Sequence, residues 1–515
     1  MKFIRFAIPA LICLIAWSCS ERNEDPVPAP GTSTSYLRLA LSVAGHSQSR
    51  VGPAAGEDGD GREDGVNKEN DIDNIAIFIY EDNGAGLDSD AATPLLAKSY
   101  ATRLNMTEEN GILVCTLPLG NYNPSSKHRA VVVANAGDIT DEINTLGELR
   151  TRPAINAWTP AANIAETKGF LMASAYNGAK RPSDNDGHIR VLHNGNGTAK
   201  NPNFATSVAI ERAAARIDIM YGSPDMPCTS GLYYHVKSAQ NSKLIITHIL
   251  PVNLMKEPSY TLKHLTMSTT NLDLLVCADE TTDAAGNAAN YIVTPSTFAM
   301  GEDTAPSSIT KWFGKSEAAY IRSNPSTIVD EGIAIARATD ITIPQPIDGY
   351  TQYRIIGYAN ENTQLPEAQD SRFISGLALR AIYRPAKIYR DADLSDFFQG
   401  DIDGSTFWLL RPTEQEMGED NCIYFASETA AIEYQKQHPE LLATIEYFPG
   451  GICYYNLWLR HAGELCAIVR NNIYRVAFSF TGPGHPTPEL TEPHNIESRI
   501  FVRRWNFRPQ SEILM

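Results

Sequence analysis

Short runs in which apolar residues recur at every second position constrain this chain more than any other feature. From Tyr36 to Val43, the side chains of Leu37, Leu39, Leu41 and Val43 share one face, and Tyr36, Arg38, Ala40 and Ser42 share the other. A period of two is the side-chain period of a strand, so the segment reads as a half-buried strand. Near the other end Tyr474, Val476, Phe478 and Phe480 alternate with Arg475, Ala477 and Ser479, again one face in and one out. The run Ile75-Ala76-Ile77-Phe78-Ile79-Tyr80 is apolar throughout and reads as a central strand. Further strand candidates lie at 112–117, 130–134, 208–210, 217–220, 244–249, 353–358, 377–383, 407–410 and 454–459. Helical spacing is scarce: 427–438, followed by Pro439, is the best case and 138–149 a weaker one. Many short strands joined by Gly/Pro loops argue for an all-β chain of packed sheets. At 515 residues it has room for two or three domains, with a soft division near residue 260.

The beginning of the chain reads as an export signal. Lys2 and Arg5 form a basic head, an apolar run follows from Phe6 to Trp17, and small Ser18 precedes Cys19. These are the parts of a cleavable secretory leader covering residues 1–18. The apolar run is shorter than the roughly 20 residues that a membrane-spanning helix needs. A Cys directly after the cleavage point resembles the lipobox of bacterial lipoproteins, in which the thiol is diacylated. Ala16 and Trp17 depart from the usual residues of that box. The acidic stretch with Glu21, Glu24 and Asp25 resembles a surface-export signal of Bacteroidetes lipoproteins. The mature chain would then be a soluble body tethered to outer-membrane lipid through Cys19, on a Pro/Ser/Thr-rich stalk.

Charge excludes one class of partner. The net charge is −17, and Lys2 and Arg5 leave with the leader, so the mature chain is more acidic still. Such a surface repels phosphate backbones, which argues against nucleic-acid binding. Cys115, Cys228, Cys277, Cys422, Cys453 and Cys466 are widely spread with no C-x-x-C pair. An oxidising compartment permits disulfides without these spacings imposing any. If 461–464 is a two-residue hairpin turn, Leu459 faces Cys466, and Cys453 lies roughly 20 Å further along the strand. Buried free thiols are the reading for this pair.

No catalytic constellation is present: there is no H-E-x-x-H, G-x-S-x-G or G-x-x-x-x-G-K-[ST]. The chain reads as a non-enzyme that needs no cofactor. His188 and His193 stand five apart in a polar loop and read as a solvated pair, not metal ligands. The acidic loops at 57–65, 184–187 and 401–404 carry carboxylates at Ca²⁺-like spacing but lack the ligand set and flanking helices of an EF-hand. They read as solvated turns. Tyr454, Tyr455 and Trp458 could stack on sugar rings, although cross-strand packing explains them equally well. That leaves a surface glycan-binding lipoprotein as an alternative function.

Several stretches together carry a family resemblance. A lipobox, an alternating strand, then Ser47-Gln48-Ser49-Arg50-Val51 in a polar loop before an Ile-rich strand resembles the precursor of Bacteroidetes fimbrillins. Glu57 to Tyr80 is similar to the start of their mature subunits. Val131-Val132-Val133-Ala134-Asn135, Phe170-Leu171-Met172-Ala173-Ser174 and Ile210-Glu211-Arg212-Ala213-Ala214-Ala215-Arg216-Ile217 resemble strands of their first domain. Tyr454-Tyr455 to His461 and Val469-Arg470-Asn471-Asn472-Ile473-Tyr474-Arg475-Val476 resemble the last strands of the second. Length and this closing segment place it nearest the minor (short) fimbria branch. The stretch 260–370 matches nothing in the family.

The resemblance implies two transthyretin-like β-sandwich domains in tandem, 51–260 and 261–515, behind a lipidated propeptide, 19–50. It implies a structural subunit of cell-surface fimbriae, serving adhesion to host or bacterial surfaces. Its partners would be other copies of itself and accessory subunits; stalk, tip and anchor roles all stay open. An Arg-specific protease would cut between Arg50 and Val51, with Arg62 as second option, and release the strand carrying Leu37, Leu39, Leu41 and Val43. By the residues alone, Arg50 reads as a solvated loop arginine; the resemblance is what favours cleavage. Towards the end, Trp505 and Phe507 alternate with Arg504, Asn506 and Arg508, Ile513 and Met515 again share a face, and Pro509 suits a sheet edge. On pattern this tail is either the final strand of its own domain or a donor for the next subunit; the resemblance implies the donor.

Overall fold

The computed structural model describes residues 35–43, 62–82, 93–109, 112–120, 122, 127–174, 187–221, 233–236, 242–256, 258–267, 290–293, 312–335, 341–347, 349–363, 371–401, 403–413, 422–462, 465–489 and 495–506. Cys19, Arg50, Val51, Phe507, Ile513 and Met515 lie outside them. Within them the chain is all-β: strands arranged in several sheets, with only a few short helices. Every strand candidate read from the sequence falls on a strand.

Three sheets position the site. Sheet I has nine strands and includes Ser35–Val43, Ile112–Gly120, Phe204–Arg212, Asn74–Glu81 and His128–Ala134. Sheet II runs Ile341–Ile347, Tyr350–Ala359, Ala215–Tyr221, Asn472–Phe480, Ile496–Asn506 and Arg62–Asp64, in that spatial order. Sheet III is built on Lys243–Val252, Gly376–Arg384 and Ile452–Trp458.

Sheet II is buried on both faces. Met220, Tyr353, Ile355, Tyr358, Ile473, Ala477, Phe501 and Trp505 pack with sheet I in one core. Ile217, Ile219, Ile356, Tyr474, Val476, Phe478 and Phe480 pack with sheet III in a second. The expected one-face-in pattern of Tyr474–Phe480 therefore fails: Ala477 and Arg475 are 1% exposed. The polar side of that alternation faces another sheet instead of water. Sheets II and III also take strands from both sides of residue 260, because Ala215–Tyr221 pairs with Tyr350–Ala359 and Asn472–Phe480, and Lys243–Val252 with Gly376–Arg384. The expected division cuts through both sheets; pairing partners far apart in sequence are not encoded by local composition.

The helices follow their caps. Ser427 Oγ accepts from the Ala430 N–H at 3.2 Å and starts Glu428–Gln437, which ends where Pro439 removes a donor. The expected helix over 138–149 is instead a short 3₁₀ turn, Thr140–Glu142, and a helix, Leu146–Thr151. The Asp138 carboxylate takes the Thr140 N–H, and a Thr145/Glu148 capping box restarts the helix at Leu146. Cys115 and Cys453 are buried free thiols; Arg460, not Leu459, faces Cys466 across an irregular hairpin.

Candidate functional site

The first strand sits in the interior of sheet I. Ser35–Val43 pairs parallel with Phe204–Arg212 on one side and antiparallel with Ile112–Gly120 on the other. Its apolar face forms rows across the sheet. Leu37 lies beside Phe204 and Leu117, Leu39 beside Thr206 and Cys115, Leu41 beside Val208 and Leu113, and Val43 beside Ile210. Leu37 and Leu39 are 0% exposed and Leu41 is 2%. Burying three such side chains is worth about 4.5–9 kcal/mol, against a typical domain stability of about 5–15 kcal/mol. The opposite face is not open throughout: Tyr36 is buried, while Arg38 reaches out to Glu109 at 2.6 Å.

Each end of the strand is marked by polar contacts. At its start the Tyr36 N–H donates to Asn203 Oδ1 at 3.1 Å, and the Ser35 hydroxyl donates to the Tyr122 carbonyl at 2.8 Å. The Tyr122 ring stands edge-on to His128 and Phe204. Burial pushes the Cys115 thiol up to about 12, so beside Leu39 it stays protonated and inert.

Beyond the Val43 end lies a buried charge network between sheets I and II. Glu69 is 0% exposed and accepts from Arg216 Nη1 at 2.8 Å, the Tyr358 hydroxyl at 2.6 Å, Trp505 Nε1 at 3.2 Å and the Val66 N–H at 2.7 Å. Arg216 also forks onto both oxygens of Asp218, at 3.0 and 2.9 Å, and Arg475 reaches Asp218 at 3.2 Å. Arg212 lies 4.3 Å over the Trp505 ring and donates to the carbonyls of Glu69 and Trp505 and to Asn70 Oδ1. Burial, followed by the neighbouring Glu69 carboxylate, pushes the Tyr358 hydroxyl far above its ordinary value. A Cβ at Gly65 would meet Asn70 Oδ1 at 2.5 Å and Arg212 Nη2 at 2.9 Å, so a larger residue here displaces those two side chains from the network.

This network joins the segment after the polar loop to the last strand. Arg62–Asp64 runs parallel to Arg504–Asn506, with Arg62 level with Arg504. Trp505, read from the sequence as part of a donor tail, is instead 0% exposed in the chain's own core. Sequence reasoning missed Glu69, Arg212, Arg216, Asp218 and Arg475 as a unit. The available signal was charge at every second position of otherwise apolar strands, which marks a buried ionic face when both sides are covered.

The remaining candidates fall elsewhere. His188 is no solvated residue: its Nε2 meets Asp82 at 2.8 Å and Arg129 at 2.7 Å; His193 is exposed. No group of residues suited to a metal occurs among the described residues. Tyr455 packs in the core between sheets II and III, while Trp458 and Tyr454 pack on the other face of their strand.

Solved structures of fimbrial and cell adhesion proteins are similar to this chain. One is a tip fimbrial protein from Porphyromonas gingivalis, at 10% identity and a TM-score of 0.34 over 92% of this chain and 100% of the other. Another is a fimbrilin from Porphyromonas gingivalis W83, at 13% identity and 0.36, covering 92% and 99%. A third is a candidate cell adhesion protein from Parabacteroides distasonis, at 11% identity and 0.40, covering 92% and 100%. No protein-family model and no curated protein matches the chain.

Proposed function

We propose that this chain is a structural subunit of a surface fimbria that polymerises by exchanging its first strand for a strand of another copy. The observation that carries the reading is the place of Ser35–Val43: an interior strand that supplies Leu37, Leu39 and Leu41 to a core yet precedes, in sequence, every other described strand. Cutting the chain between residues 43 and 62 leaves the rest of sheet I intact apart from one open slot. A slot with two rows of unpaired backbone groups and an apolar floor is a template for strand addition.

Secretion of the precursor as a lipoprotein, with the lipid on Cys19, delivers it to the outer membrane. Cleavage between Arg50 and Val51 then frees the strand. Arg62 is the poorer cut site, since its backbone is already paired with Arg504, and proteases need an extended unpaired backbone. The network around Glu69 holds the new amino-terminal segment in place once the first strand has gone. The donor begins after Asn506, because the strand up to that residue belongs to the chain's own sheet II.

The test is to cleave the purified precursor with an Arg-specific protease and compare the first residue of monomers and of any polymers. Polymers that start at Val51 support the reading. Polymers in which residues 35–43 remain attached overturn it.

A further inference from the structure

Outside sheet III the chain carries an aromatic row that its own packing covers only in part. Sheet IV runs Phe397–Phe398, Ile388–Tyr389, Ile423–Phe425, Phe407–Pro412 and Ala443–Phe448, in that spatial order. Its inner face gives Ile388, Phe407, Leu409, Tyr424 and Phe448 to the core shared with sheet III. On the outer face one register line passes through Phe397, Tyr389, Phe425, Trp408 and Tyr447, an aromatic from every strand of the sheet. The helix Glu428–Gln437 covers the middle of that line, where Ala430 and Ala431 pack on Phe425 and Leu410. Phe425 is 0% exposed, whereas Tyr447, on the edge strand, is 49% exposed.

The Tyr447 end of the row is an aromatic pair with its polar tips unused. The Trp408 and Tyr447 rings lie 4.8 Å apart, tilted by 39°. Neither the indole N–H nor the phenol hydroxyl has a hydrogen-bond partner among the described residues. Buried Trp and Tyr side chains usually find one, as Trp505 does on Glu69. At the opposite end of the row the chain supplies its own cover, since Lys387 Nζ stands 4.8 Å over the Phe397 ring.

We propose that Trp408 and Tyr447 form a carbohydrate-binding site that stacks a neutral pyranose ring of a surface glycan. A pyranose has an apolar C–H face and a rim of hydroxyls. It therefore matches aromatic rings flanked by an N–H donor and a hydroxyl that gives or takes a hydrogen bond. A protein partner is a poorer match: a stable interface covers about 800 Å² per partner, and two rings beside a helix offer a small part of that. Charge selects among sugars. The chain carries a net charge of −17, and on the two strands that bear the pair Arg411 and Glu446 neutralise each other at 2.9 Å. No cation of those strands is left for a sugar carboxylate, and the acidic body repels an anionic glycan. The site uses no residue of sheet I, so it operates whether or not the first strand is exchanged.

The full-length chain is run on native gels cast with a soluble glucan, mannan or galactan, and with polygalacturonate as the acidic comparison. At least one neutral polysaccharide should retard the unaltered chain, and polygalacturonate should not. Trp408→Ala and Tyr447→Ala should each weaken the retardation about tenfold or more, the scale of an aromatic anchor. Tyr447→Phe keeps the ring and should weaken it less than Tyr447→Ala. Tyr447 stands half-exposed on an edge strand, so its variants should fold even where loss of Trp408 disturbs the sheet, and unfolding midpoints check both. Unchanged migration in every neutral polysaccharide overturns the proposal. Retardation that survives both alanine variants overturns it too, because the sugar then binds elsewhere. Retardation by polygalacturonate alone overturns the choice of a neutral sugar. A concentration-dependent dimer that Tyr447→Ala abolishes would make the pair a protein interface instead.

Discussion

The carboxylate of Glu69 accepts a hydrogen bond from the Trp505 indole at 3.2 Å, although 436 positions separate the two residues. The same carboxylate binds Arg216 and Tyr358, so one buried anion ties the turn at Asn67–Asn70 to sheet II and to the last strand. Deletion of residues 507–515 should therefore leave a folded monomer with an unchanged unfolding midpoint. Trp505→Ala should cost about 3–5 kcal/mol, the usual loss for a buried aromatic. Denaturant unfolding of both variants checks this, and equal midpoints would contradict the assignment of Trp505 to the chain's own core.

Asp218 is the second anion of the network, shared by Arg216 and Arg475. Asp218→Asn leaves two buried guanidinium groups facing a neutral amide. Breaking a buried pair in this way costs about 3–5 kcal/mol, far more than an exposed pair is worth. By contrast Arg38→Ala, which removes an exposed partner of Glu109, should change stability by less than about 1 kcal/mol. Urea titration of the two variants gives the comparison directly.

The strands were legible because alternation and apolar runs are local signals, and Leu37–Leu41 show this best. Which strand lies beside which was not. The parallel neighbour of Ser35–Val43 is Phe204–Arg212, and nothing in either segment names the other. The Arg475 face was read as solvent-facing because a single sequence cannot show that a second sheet covers it. His188 was read as solvated for the same reason, since Asp82 comes to it from a distant strand end. The slot was therefore half readable: its occupant could be seen in the sequence, and its walls could not.

Acid should weaken the fold through Glu361, which is fully buried against Arg470 at 2.6 Å and also takes the Ser259 hydroxyl. Burial alone would raise its pKa, but the charge of Arg470 and the hydrogen bonds from Arg470 and Ser259 outweigh burial and hold it below the ordinary 4.5. A group depressed in the folded state stabilises above its unfolded value, and that contribution fades as pH falls through the folded one. The stability gap between the unaltered chain and Glu361→Gln should thus be widest above about pH 4.5 and narrow as the solution becomes more acidic. Unfolding midpoints measured from pH 7 downwards test the sign; a gap that grows in acid would reverse the assignment.

Processing of the precursor gives the last prediction. Leu39→Ala removes a side chain that is 0% exposed, and a Leu→Ala change in a core costs about 2–5 kcal/mol. On the strand-exchange reading the loss falls on the precursor alone, because that reading removes the first strand before assembly. Cleaved Leu39→Ala chains should therefore release the strand faster than unaltered chains and polymerise sooner. Arg50→Ala should act in the opposite direction: the cut is blocked, the strand stays in its slot, and the chain remains a stable monomer. If the precursor is lipidated as proposed, Cys19→Ala should abolish lipid labelling while leaving the purified body's stability unchanged, since Cys19 precedes the first strand in sequence. Labelling with a lipid analogue, mass spectrometry of the amino terminus and sizing of the products separate the three variants. Polymers of normal length from Arg50→Ala chains, still beginning before Ser35, would mean that the slot is never opened and that any assembly uses another surface.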